Sequence, residues 1–93
     1  MVTRVELSRQ AQKDLNGVPH HIHIQLLAWV EAVENEGLEN IRKIPGYHDE
    51  PLKGKRKRQR SIRLSRSYRA IYEIFESHEV KLVEIKEITK HEY

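Results

Sequence analysis

The feature that most constrains this chain is a change of hydrophobic period near residue 58. Before it, apolar residues recur at helical offsets; after it, they recur at about every second position. Residues 2–7 alternate weakly and carry β-branched side chains, which predicts a first strand. Ser8 has the chemistry of an N-cap, Ala11, Leu15 and Val18 follow at helical spacing, and Asn16-Gly17 is a stop signal. Pro19 stands where a second helix can begin. Its apolar stripe is Ile22, Leu26, Trp29, Val30 and Val33, and it ends near Gly37. Leu38, Ile41 and Ile44 continue at three-residue intervals as one or two further turns, until Pro45-Gly46 breaks the run.

The second half predicts strands over residues 60–65, 68–75 and 80–89, joined through 66–67 and 76–79, both short enough for hairpins. Val83, Ile85 and Ile88 depart from strict alternation, so a bulge or an early strand end is expected near Lys86. No Pro/Gly/Ser-rich linker and no internal repeat interrupts the chain. The expectation is one α+β domain over residues 1–93. Two N-terminal helices pack on one face of a small antiparallel β-sheet, and the other face is left for function.

Composition narrows the choices further. With 93 residues the chain is too short for two independent cores. It contains no cysteine, which excludes disulfides, thiolate metal sites and thiol nucleophiles. Its longest apolar stretches fall far short of a bilayer span, and its first residues do not read as a signal peptide, so a soluble cytoplasmic protein is expected.

Charge is segregated along the chain. Residues 1–40 hold three Lys or Arg against six Asp or Glu, and residues 71–93 have the same balance, whereas residues 41–70 hold eleven against two. A block of this density is the electrostatic footprint of a polyanion partner, with nucleic acid the first candidate. Its cations include Lys53, Lys55, Arg56, Arg60, Arg63, Arg66 and Arg69. A run such as 55–58 taken alone reads as a solvated loop. Arg63 differs, because it alternates with Ile62 and Leu64: a strand there buries the two apolar residues and aims the arginine from the opposite face.

Cleaving RNA requires a base for the 2′-hydroxyl proton, an acid for the departing 5′-oxygen, and cations where charge accumulates on the phosphate. No metal or cofactor is needed. Glu50, the cations Lys53, Arg63 and Arg69, and His91 supply these parts, and Tyr93 adds a ring able to stack on a base. The residues alone leave open which of Glu50 and His91 is base and which is acid. His20, His21 and His23 invite a metal reading, but no cysteine or fixed carboxylate accompanies them, so no metal site is expected. Trp29 reads as core, and Tyr68 and Tyr72 as core or rim aromatics.

The stretch Glu50-Pro-Leu-Lys53, then Ser61-Ile-Arg-Leu64, Tyr68-Arg-Ala-Ile-Tyr72 and the terminal Lys90-His-Glu-Tyr93, resembles the RelE/ParE superfamily of bacterial toxins, in particular its YoeB-like and HigB-like messenger-RNA interferases. The resemblance implies a β-α-α-β-β-β fold, cleavage of messenger RNA in the ribosomal A site amid ribosomal RNA, and neutralisation by a cognate antitoxin protein. It also implies roles. Glu50 matches the general base, Arg63 and Arg69 two arginines that hold the scissile phosphate, and His91 the general acid. Lys53, Lys55, Arg56, Arg60, Arg66, Lys90 and Tyr93 are the expected RNA contacts. The branch ends His-Tyr where this chain ends His-Glu-Tyr. Two rival readings remain: a ParE-like inhibitor of DNA gyrase, which needs neither Glu50 nor His91, and an RNA-binding module without cleavage.

Overall fold

Ser8 does the work of a helix cap and of a sheet tie together. In the computed structural model, which describes residues 1–90, its backbone is extended and its Oγ accepts a hydrogen bond from the Ala11 amide at 3.0 Å. The same hydroxyl donates to the Lys86 carbonyl at 2.7 Å. Strand β1 (Val5–Leu7) thus leads into helix α1 (Arg9–Gly17), and then into the long helix α2 (His20–Glu36). Pro19 caps α2 from just outside it, one position earlier than a proline at the first helical residue. Gly37 closes the helix with its N–H donating to the Val33 carbonyl at 2.8 Å. Its φ of +86° is open to glycine, and a Cβ there would also collide with the Met1 side chain.

A short helix α3 (Leu38–Ile41) and a 3-10 turn (Pro45–Tyr47) follow, so Pro45 opens a tight turn and does not simply end a helix. Two residues, Glu50–Pro51, then form β2. A second 3-10 turn (Gly54–Arg56) leads to β3 (Gln59–Arg63), β4 (Tyr68–Glu76) and β5 (Lys81–Lys90). The strand order is β1-β5-β4-β3-β2. Three of the pairings are antiparallel, but β1 runs parallel to β5, with Val5 opposite Val83 and Leu7 opposite Ile85. The sheet is therefore mixed where a purely antiparallel one was expected. Strand β1 precedes both helices and β5 is the last strand, so the two are joined by a long connection, which parallel pairing requires.

The core is built from α2 and one sheet face. Ile22, Leu26, Trp29 and Val33 are each fully buried and meet Ile62, Ala70, Tyr72, Val83, Ile85 and Ile88. Trp29 and Tyr72 touch with ring centroids 5.3 Å apart and planes at 40°. The irregular spacing of Val83, Ile85 and Ile88 is resolved by a bulge. Ile71 faces Glu87 and Tyr72 faces Ile85, which leaves Lys86 as the extra residue, as the apolar spacing predicts. The bulge is stabilised from outside the sheet, since the Ser8 hydroxyl donates to its Lys86 carbonyl and Asp14 Oδ2 accepts the Ile88 amide at 3.0 Å. The β3–β4 turn is longer than two residues: Leu64 and Ser65 amides donate to the Tyr68 carbonyl, and Ser65 Oγ accepts from the Ser67 and Tyr68 amides.

Candidate active site

Strand register decides which candidate residues can meet. Residues opposite one another across a pair share a face. Glu50 stands opposite Ser61, Ser61 opposite Ile71, and Ile71 opposite Glu87, so these four form one row across β2, β3, β4 and β5. Two residues along, Arg63 faces Arg69 and Arg69 faces Thr89. Both rows lie on the face turned away from the helices, because Ile62, Ala70 and Tyr72 alternate with them into the core. Glu50, Arg63 and Arg69 are thereby brought to one surface. Neighbouring strands lie about 4.8 Å apart and two residues span about 6.6 Å, so Glu50 is diagonal to Arg63 across a single strand spacing.

Two arginines set directly opposite one another repel. Among the described residues, Arg63 and Arg69 have no ion-pair partner, whereas Arg4, Arg56, Arg60 and Lys86 are each paired with a carboxylate. Arg69 Nη1 donates to Ser61 Oγ at 3.2 Å, and Arg63 Nε to the Ser65 carbonyl at 3.4 Å. These neutral acceptors orient the guanidinium groups and leave their charge in place. Ser61 is buried to 2% exposure. Its hydroxyl is the seat on which Arg69 rests, a role visible in the sequence only once Arg63 is known to share its face.

The remaining cations divide. Lys53 and Lys55 are exposed on the connection from β2 to β3, and Arg66 is exposed in the β3–β4 turn. Arg56 reaches back over the sheet. Its Nε donates to Gln59 Oε1 and its Nη2 to Glu87 Oε1, both at 2.8 Å, so the guanidinium bridges β3 to β5. Ile71 lies in the row beneath and is only 5% exposed although it is on the open face. Lys90 is opposite Tyr68 and so projects to the other face from Arg69 and Thr89. His91 and Tyr93 lie outside the described residues.

Arg60 also lies on the helix-covered side, because it is three residues from Arg63 and strand alternation sends the two to opposite faces. There it meets Asp49. Arg60 Nε donates to Asp49 Oδ1 and Tyr72 Oη donates to Asp49 Oδ2, each at 2.5 Å. The Asp49 side chain is 1% exposed. Burial opposes the charge of Arg60, but the hydrogen bond from Arg60 and the negative charge of Asp49 outweigh it and raise the guanidinium pKa. Burial, then the bond to Asp49 and its charge, pushes the Tyr72 phenol well above its ordinary value. Asp49 carries no signal in the sequence beyond its place next to Glu50. It fixes the backbone from which the edge strand starts, just after His48, which turns the chain in the left-handed region at φ +46°.

The three histidines His20, His21 and His23 lie in the first turn of α2. Among the described residues no group of three His, Cys, Asp or Glu is gathered to hold a metal ion, and no helix is long and apolar enough to cross a membrane.

Fold and charge layout define a class: a small α+β protein whose mixed sheet carries helices on one face and oriented arginines on the other. Residues 5–92 match the family model described as the ParE toxin of the type II toxin-antitoxin system, parDE. The chain belongs to that family, within the RelE/ParE superfamily of toxins. Solved structures share the fold. The crystal structure of YafQ from E. coli strain BL21(DE3) is 20% identical with a TM-score of 0.73, covering 92% of this chain and 90% of that one. The RelE chain of the archaeal RelE-RelB complex from Pyrococcus horikoshii OT3 is 23% identical with a TM-score of 0.68, covering 97% and 96%. The YoeB/ParE toxin from Agrobacterium tumefaciens is 20% identical with a TM-score of 0.59, covering 96% and 99%. No match was found among curated protein sequences.

Proposed function

We propose that this toxin is a ribosome-dependent endoribonuclease that cuts messenger RNA in the ribosomal A site. The observation that carries the reading is the pair Arg63 and Arg69, facing one another without a carboxylate partner among the described residues, with Glu50 on the same surface. Like charges set opposite each other cost stability. A phosphodiester placed between them removes that cost and gains two forked donors at the oxygens where negative charge develops.

In this reading Glu50 takes the proton of the 2′-hydroxyl, whose oxygen attacks the adjacent phosphorus. The bond to the 5′-oxygen breaks, and His91 gives that oxygen its proton, leaving a cyclic phosphate and a free 5′-hydroxyl. Each residue then holds the protonation state that the reverse step would require. Lys53, Lys55, Arg56, Arg66 and Tyr93 are the RNA contacts of this scheme; Lys90, which projects to the face opposite Arg69, is set aside from it. Arg60 is assigned to the buried pair with Asp49 and acts on RNA through the frame it holds.

A cognate antitoxin is the second partner. Structures of the same fold include the DinJ-YafQ toxin-antitoxin complex from E. coli, 22% identical with a TM-score of 0.73. An acidic or amphipathic segment laid over residues 53–69 would mask the basic surface, and the setting of the whole scheme is the bacterial cytoplasm, where translating ribosomes are found.

The test is to map transcript 5′ ends after brief expression of the unaltered chain and of Arg69→Ala and His91→Ala. New ends within translated codons, absent in both variants, support the reading; folded variants that cut as before reject the site. The ParE description of the family model favours a second reading, a DNA gyrase inhibitor without nuclease activity. That reading predicts DNA damage with full-length transcripts and indifference to Glu50→Gln and His91→Ala.

A further inference from the structure

Beside the arginine face, the sheet edge opens into a cavity of about 420 Å³. Strand β2 pairs only with Arg60 and Ser61, so the edge of β3 beyond Ile62 is left without a neighbouring strand. The cavity occupies this gap, between α2 and the 3-10 turn Pro45–Tyr47, and its wall includes Gln25, Ile44, Gly46, Tyr47, Arg63 and Leu64. Its volume falls at the small end of the range for ligand pockets, about 300–1,000 Å³. Arg63 belongs to both surfaces: it faces Arg69 across the sheet and also lines the cavity.

The lining has the chemistry of a base site. Ile44 is 43% exposed, and Tyr47 is half-buried with part of it packed against the core, so some apolar and aromatic surface stands uncovered. Gln25 is exposed on α2. Its Nε2 reaches the Leu64 carbonyl only at 3.5 Å, the limit of a hydrogen bond, so its amide has both a donor and an acceptor to offer. An aromatic wall and a side-chain amide are the groups with which proteins stack an unpaired base and read its edge. Lysine or arginine alone would bind any phosphate.

We propose that the cavity is a base-binding subsite: it receives the nucleobase next to the phosphate held by Arg63 and Arg69, with Tyr47 as stacking wall and Gln25 as reader of the base edge. The inference rests on the phosphodiester-cleaving reading for the order of groups along the strand, and it adds a place where base identity is sensed. Gly46 supplies a clean block. A Cβ at this position meets nothing within 4 Å and its φ lies outside the left-handed region, so Gly46→Leu adds bulk at the cavity wall without straining the backbone.

The experiment follows backbone and side-chain amide resonances of the full chain during titration with inorganic phosphate, with the four nucleosides, and with the four nucleoside 5′-monophosphates. Nucleosides should move the signals of Gln25, Gly46 and Tyr47, and phosphate should move those of Arg63 and Arg69. The best nucleotide should bind about five- to a hundredfold tighter than phosphate, the scale of one stacked base. Gly46→Leu should remove that advantage and leave phosphate binding unchanged, and Gln25→Ala should flatten the differences among the four bases. Nucleosides that leave the cavity signals unmoved overturn the subsite, whether or not phosphate binds; a phosphate that moves neither arginine overturns the cleavage reading, whatever the nucleosides do. A nucleotide advantage that survives Gly46→Leu also overturns the subsite.

Discussion

Tyr72 Oη donates a 2.5 Å hydrogen bond to Asp49 Oδ2, tying the middle of β4 to the residue that precedes Glu50. Tyr72 is fully buried against Trp29, and Asp49 takes its second bond from Arg60. The start of the edge strand is thus held from inside the core, while Glu50 itself stays exposed. Tyr72→Phe keeps the ring and removes the donor, leaving a buried carboxylate oxygen short of one partner. The expected loss is about 1–3 kcal/mol of unfolding free energy, read from the urea midpoint at unchanged slope.

The raised pKa of Tyr72 sets a limit on the alkaline side. In the unfolded chain the phenol loses its proton near pH 10, whereas in the folded chain burial and Asp49 keep it protonated. Its contribution is therefore complete below that pH and declines as pH rises toward the folded value, because only the unfolded state gives up the proton. Denaturation followed from pH 8 to pH 11 should show a falling midpoint in the unaltered chain and a shallower fall in Tyr72→Phe.

Arg60 and Arg69 should separate stability from activity. Arg60→Ala strands the charge of Asp49 in a site 1% exposed, and removing one partner of a buried pair costs about 3–5 kcal/mol. Thermal denaturation should show a large drop in midpoint. If Arg60→Ala unfolds no more easily than Arg58→Ala, the buried pair does not hold the fold.

Arg69→Ala and Arg63→Ala relieve a like-charge contact and should leave stability within about 1 kcal/mol of the parent. Loss of one donor to the developing phosphate charge should nevertheless slow transcript cleavage about a hundredfold or more. Arg69→Lys keeps the charge without the fork and should recover only part of the rate. Cleavage rates on programmed ribosomes measure both effects.

Glu87 draws Arg56 across the open face, with the two side chains 30% and 47% exposed. Exposed pairs contribute little, so Glu87→Gln should change stability by less than about 1 kcal/mol. It also removes a negative charge from the row that contains Glu50 and frees Arg56. Single-stranded RNA should bind more tightly, and the dependence of log affinity on log salt should steepen by about 0.7 if Arg56 gains one phosphate. An unchanged slope would show that Arg56 stays with Gln59.

Much of this architecture can be read locally. The Ser8 cap, the apolar stripe of α2 and the bulge at Lys86 all follow from spacing within a few residues, because helical and strand periods are local properties of the backbone. Alternation likewise sends Arg63 outward between Ile62 and Leu64, and the same rule turns Arg60 inward, although a run of basic residues conceals the difference. What only the tertiary structure decides is long-range: that β1 lies parallel to β5, that two residues around Glu50 become an edge strand, that Asp49 is the buried partner of Arg60 and Tyr72, and that a cavity opens beside Arg63. No short window encodes these, because each depends on which distant segment arrives alongside. A charge receives its partner, or is left without one, only when the strands have closed.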